Sequence, residues 1–197
     1  MDPKGMIKKE RVYLYVVVAL IIGFVGGVMY SAYRTPATAE VHQDGSGHQR
    51  DAAETIAALE KATKDNPKDG QLWVELGHAY FDTGQAKQAI AAYHKALELL
   101  PGDLNVMTDL GVMYHQDNQH QKAIETFDQV LRANPEHEQA RFNKGVVLLT
   151  GLNDPKGAVA EWKILLKYHP MAAAPSGKMV ADLIDQLEKQ TKETAKP

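Results

Sequence analysis

Residues 70–135, GQLWVELGHAYFDTGQAKQAIAAYHKALELLPGDLNVMTDLGVMYHQDNQHQKAIETFDQVLRANP, are one 34-residue phrase written twice. Trp73, Leu76, Gly77, Tyr80, Ala89, Tyr93, Ala96 and Pro101 are echoed 34 positions on by Met107, Leu110, Gly111, Tyr114, Ala123, Phe127, Val130 and Pro135. A fixed period of this length is the mark of a stacked repeat, each unit being too small to bury its apolar face alone.

The physics of the unit follows from its residues. Leu76, Gly77 and Tyr80 share one stripe of a first helix, and Ala89, Tyr93 and Ala96 share one of a second. Gly77 and Ala89 lack bulk, so the two backbones approach closely while Tyr80 and Tyr93 fill the space beside them. Gly84 and Asn118 stand where a residue must enter the left-handed region to end the first helix. Pro101 and Pro135 lack an amide donor and restrict the residue before them, so each closes a second helix.

Outward from this core, Asp51 to Asn66 reads as a helix capped near Asp51, with Ile56, Leu59 and Ala62 on one face. Ala62 and Pro67 lie 34 residues before Ala96 and Pro101, so this helix matches the second half of a unit and covers the first full one. The third unit, 138–171, keeps Gly145 in register but has Arg141 and Lys144 where the pattern has large apolar residues, and Leu148 for tyrosine. Its turn, Gly151 to Pro155, is one residue longer. There Asp154 caps and Pro155 opens the next helix, shifting Ala158, Trp162 and Pro170 by one. The Lys144 stem can lie along apolar neighbours with its amine in water. Ser176 is expected to cap a closing helix, 176–190, with Met179, Val180, Leu183, Ile184 and Leu187 on one side.

Ahead of the repeats, Val12 to Tyr30 are 19 consecutive uncharged, mostly apolar residues. As a helix they rise ~28 Å, which matches the hydrocarbon layer of a membrane. Tyr13, Tyr15, Tyr30 and Tyr33 flank the run as interfacial anchors, and Lys4, Lys8, Lys9 and Arg11 precede it. The charge bias keeps residues 1–11 in the cytoplasm, sets a transmembrane helix at 12–33 and exports the repeats. A signal peptide cleaved after Ala39, in Ala37-Thr38-Ala39, is the alternative, and it exports the repeats as well. Gly23 and Gly27 make a GxxxG spacing that allows a homodimer in the membrane, although glycines are also common in membrane helices. Residues 34–50 are polar and without apolar period, a flexible linker in which His42 and His48 lack further ligands for a metal. Residues 193–197 form a tail.

The 197 residues are 44% hydrophobic with net charge -3, and carry no cysteine. Absence of cysteine excludes disulfides, thiolate metal sites and cysteine nucleophiles. Without a basic cluster on the repeats there is no nucleic-acid surface. No HExxH, GxSxG or Gly-rich phosphate loop occurs, and His115 and His120 lie in and beside a turn, His94 on an outer helix, and His137 and His169 at unit junctions. No catalytic residue, metal site or cofactor is therefore assigned.

The period and the residue order above resemble the tetratricopeptide repeat, W-x2-L-G-x2-Y…A-x3-F…P. The fold class this implies is all-α: a superhelix of helix-turn-helix units at 70–103, 104–137 and 138–171 within a domain spanning 51–192, flanked by capping helices and preceded by the membrane helix. The family's concave surface is lined by first helices. Carried to this chain, it comprises Gln71, Val74, His78, Phe81 and Asp82; Asn105, Thr108, Val112, His115 and Gln116; and Gln139, Phe142, Val146 and Leu149. Members that clamp an acidic C-terminus use Lys, Asn and Arg there. Val74, His78, Val112, Phe142 and Val146 stand in their place, so that clamp is absent. An apolar floor edged by His, Asn and Gln suits a helical or extended protein client instead. Phe81 and Leu149 have the alternative of filling space between units.

The plan of a degraded last unit, A-x3-W-x2-L-L…P, with a closing helix after it is similar to the membrane-anchored repeat domains of bacterial cytochrome c maturation. That resemblance implies a scaffold on the periplasmic side of the inner membrane holding an apocytochrome. A scaffold for secretion, pilus or division machinery and a self-assembling array are the other readings.

Overall fold

The computed structural model describes residues 46–194, with side chains for 51–192. The expected membrane helix, the cleavage alternative at Ala39 and the Gly23/Gly27 contact lie outside these residues. Among the described residues the chain forms α1 (Ser46–Asp65), α2 (Gly70–Asp82), α3 (Ala86–Leu99), α4 (Leu104–Gln116), α5 (His120–Ala133), α6 (Glu138–Thr150), α7 (Pro155–Tyr168) and α8 (Val180–Thr194). No described helix is long and apolar enough to cross a membrane.

Each helix packs on the next in sequence, and the first helices of successive units, α2, α4 and α6, also lie side by side. This is the stacking expected of a solenoid, in which each unit touches its neighbours. Gly77 lies directly over the Tyr93 ring and Gly145 over Trp162, while a Cβ on Gly111 would stand 2.6 Å from Phe127. The three glycine-on-aromatic contacts recur through the stack, and the third absorbs the one-residue shift. Ala89, Ala123 and Ala158 beside them are fully buried.

The helix ends repeat as well. Asp69 Oδ1 accepts the Gln71 amide at 3.0 Å, Asp103 Oδ1 accepts that of Asn105 at 3.0 Å, and His137 Nδ1 accepts that of Ala140 at 3.2 Å. These are N-caps 34 residues apart. Gly84 and Asn118 adopt φ of 69° and 60°, ending α2 and α4 as expected. In the longer third turn the left-handed residue is Asn153, φ 52°, after which Asp154 caps α7 through the Gly157 amide at 2.9 Å.

Two expected helix starts are corrected. Helix α1 begins at Ser46, so 46–50 are helical rather than linker, and Asp51 lies inside the helix instead of capping it. Ser176 does not cap the closing helix. It sits in a turn where the Gly177 amide donates to the Ala174 carbonyl at 2.7 Å and Ala173 bridges Met179. The Val180 amide then donates to the Ala172 carbonyl at 3.0 Å and α8 starts there. Backbone pairing satisfies the groups a serine side chain would have served. Val180 and Ile184 of α8 join Trp162 and Leu165 of α7 in a second core cluster, and among the described residues α8 approaches no other helix backbone.

Candidate protein-binding groove

Unit three departs from the repeat pattern at Arg141 and Lys144, and both substitutions are resolved by pairing. Glu161, 15% exposed at its side chain, accepts from Arg141 Nη1 at 2.9 Å and from Lys144 Nζ at 2.6 Å. Lys144 also reaches Asp128 at 2.7 Å. Burial alone would lower the Lys144 pKa, but its hydrogen bonds to Asp128 and Glu161 outweigh that and raise it, so the amine stays charged. These residues hold units two and three together and leave the inner face to others.

The inner face is formed by α2, α4 and α6. Of the residues expected there, Gln71, Asn105 and Gln139 are exposed, His78 is half exposed, and Val112 is half-buried. Two turn inward, against expectation. Val74 is 5% exposed within the main core, and Thr108 is fully buried with its hydroxyl donating to the Leu104 carbonyl at 2.7 Å. They fill the space between units, a role foreseen for Phe81 and Leu149. Phe81 is half-buried against the same core. Phe142, Val146 and Leu149 are half-buried against the second cluster, with the Phe142 ring stacked on Trp162 at 5.7 Å.

His115 is held in a relay. Thr150 Oγ1 gives its proton to the Val146 carbonyl at 2.8 Å, so His115 Nε2, 3.2 Å away, donates to that oxygen. His115 Nδ1 is then the acceptor, and His120 Nδ1 donates to it at 3.0 Å. Burial first, and His120 second, hold the His115 pKa below its ordinary value, in keeping with a neutral ring.

Across the first two units the chemistry differs. His78 Nε2 pairs with Asp109 Oδ2 at 3.3 Å, bridging α2 and α4. That hydrogen bond raises the His78 pKa against the opposing effect of burial, and the charges of Asp109, Asp82 and Asp103 add to it. Burial pushes Asp82 up, with His78 lowering and Asp109 raising it. The Tyr93 ring meets His78 edge-on at 5.7 Å, and its hydroxyl is buried without a hydrogen-bond partner. Asp109 is not legible as a site residue in the sequence, because it meets His78 only once α2 and α4 lie side by side. Among the described residues no group of three ligating side chains is set for a metal ion.

Stacked 34-residue helical hairpins with an inner face of first helices define a tetratricopeptide-repeat protein, a module for protein–protein interaction. A family model described as the cytochrome c-type biogenesis protein H TPR domain matches residues 37–174, and the chain belongs to that family. Among solved structures, MamA is 17% identical, with 80% of this chain and all of that one covered at a TM-score of 0.59. A tetratricopeptide repeat protein from Parabacteroides merdae is 17% identical over 74% of this chain and 57% of its own, TM-score 0.61. The TPR domain of Arabidopsis OM64 is 17% identical over 61% of this chain and 95% of its own, TM-score 0.54. These likenesses concern the fold. No curated protein matches the chain.

Proposed function

We propose that the chain is a single-pass bacterial inner-membrane protein whose repeat domain, on the periplasmic side, holds a helical or extended segment of an apocytochrome c for haem attachment. The observation that carries this reading is the family match over residues 37–174, which ties the domain to cytochrome c-type biogenesis. The apolar run at 12–30 with its basic flank supports the anchor and the topology. Among the described residues α8 packs along α7 and its core cluster does not include Val112, which supports an inner face free to hold a client. TPR modules bind proteins rather than carry out chemistry, and no step of catalysis is assigned.

The test is affinity purification of the full chain, solubilised from membranes, beside Val112→Gln and Asn105→Glu variants checked for unchanged helicity. Phe142 is avoided because its stacking on Trp162 makes any polar substitution a probe of folding. Recovery of apocytochrome by the wild type and a loss of tenfold or more in the variants is expected. Recovery of secretion, pilus or division components instead, or of the chain alone as an array, overturns the client. Equal recovery by the variants overturns the groove.

A further inference from the structure

The repeats supply an internal control for one feature of the inner face. At the junction of units one and two stand His78, Asp82 and Asp109 above Tyr93; 34 residues on, the same four positions are Val112, Gln116, Asn143 and Phe127. Charge is thus confined to one end of the face and absent from the matching positions at the other. Asp109 retains 23% side-chain exposure and Asp82 is exposed, so both carboxylates can be reached from solvent. One imidazolium facing two carboxylates leaves the cluster net negative even when His78 is protonated.

A second observation points to a ligand here. Tyr93 is wholly buried, yet its hydroxyl has no hydrogen-bond partner, and its ring meets His78 while Asp109 and Asp82 act on it electrostatically. Phe127, its counterpart, carries no such group. A buried hydroxyl left unpaired costs stability, so its presence at the charged junction alone calls for a polar partner supplied from outside.

We infer that the groove is charged at one end and apolar at the other, and takes an amphipathic client helix with a Lys or Arg seated against Asp82 and Asp109 and an apolar side chain against Val112. This deepens the proposed function and rests on the inner face being the client groove. Asp109 and Val112 lie three residues apart on α4, which at 1.5 Å per residue is roughly 4.5 Å along its axis. The basic residue therefore lies about one turn, three or four positions, from the apolar anchor. Charge complementarity sets the direction in which the client lies, as well as its register.

The experiment is selection from a displayed library of 16-residue helical peptides on the full chain in detergent micelles, followed by fluorescence anisotropy of winning peptides. Wild type is expected to enrich Lys or Arg about three or four residues from Leu, Ile or Phe, and replacing that cation by Gln to weaken binding about fivefold or more. The Asp82→Asn/Asp109→Asn variant should keep the apolar preference and lose the cationic one. Val112→Gln should weaken both peptides alike. Enrichment of apolar residues with no basic preference, or a basic preference that survives in the Asp variant, overturns the inference while the groove stands. If no sequence is enriched, or Val112→Gln changes nothing, the groove reading itself falls.

Discussion

Arg141 Nη2 donates to the Pro135 carbonyl at 2.8 Å, across the same six-residue step by which Trp73 Nε1 donates to the Pro67 carbonyl at 3.0 Å. The guanidinium thus performs the indole's task of tying a first helix to the proline that precedes it. Its remaining charge is met by Glu161, and its face lies over the Tyr168 ring at 6.0 Å. A residue that breaks the repeat pattern keeps the hydrogen bond that Trp73 makes in unit one.

Glu161 is the shared anion of that arrangement, and removing its charge leaves the buried Arg141 without a carboxylate and Lys144 with Asp128 alone. Glu161→Gln is expected to cost about 3 kcal/mol. By contrast Glu98→Gln, which breaks the exposed pair with Lys95, should cost less than about 0.5 kcal/mol. Urea midpoints of the two variants check the contrast; similar shifts would count against a buried network.

Gly111 leaves no room for a side chain over Phe127. Gly111→Ala should destabilise by about 1–3 kcal/mol through overpacking. Adding Phe127→Leu should recover part of that loss, whereas the two changes adding independently would show that the contact is not the cause.

Gly84 has open space around its Cβ position but a φ of 69°. Gly84→Ala should therefore cost about 1 kcal/mol from backbone strain alone, while Asn118→Gly, at φ 60°, should be close to neutral. Thermal midpoints decide it.

The two histidines of the inner face titrate in opposite senses. His115 has its folded pKa below the ordinary 6.5, so the unfolded chain binds its proton first. Its contribution is present above pH 6.5 and lost as pH falls through the lowered folded value. His78 has its folded pKa raised, so the stabilisation from its pair with Asp109 is full below 6.5 and lost as pH rises through the folded value. His115→Gln should flatten the acid side of the stability profile and His78→Gln the neutral-to-alkaline side; the reverse assignment would contradict the relay and the ion pair described above.

Much of the fold was legible because period, small-over-large pairing and turn residues all repeat in one dimension. The Gly77, Gly111 and Gly145 contacts, the left-handed Gly84 and Asn118 and the Asp154 cap follow from spacing alone. What spacing cannot show is a partner from another period. Tyr80 donates to Glu60 at 2.5 Å and Tyr114 pairs with His94 at 2.6 Å, both between a unit and the helix before it. At the next step Leu148 has no hydroxyl, and Asp128 takes Lys144 instead. Val74 and Thr108 lie at the edge of the inner stripe, where a fraction of a helical turn separates core from groove. Helix α1 reaches back to Ser46 through residues with no apolar period, and Ser176 has the composition of a cap in a place where backbone pairing does the work.

Hydrogen–deuterium exchange of the full chain with and without a haem-free apocytochrome c tests the central claim most directly. Added protection concentrated in α2, α4 and α6, with α3, α5 and α7 unchanged, is the predicted result. Protection confined to the outer helices or to α8, or none at saturating apocytochrome, would contradict a client held on the inner face.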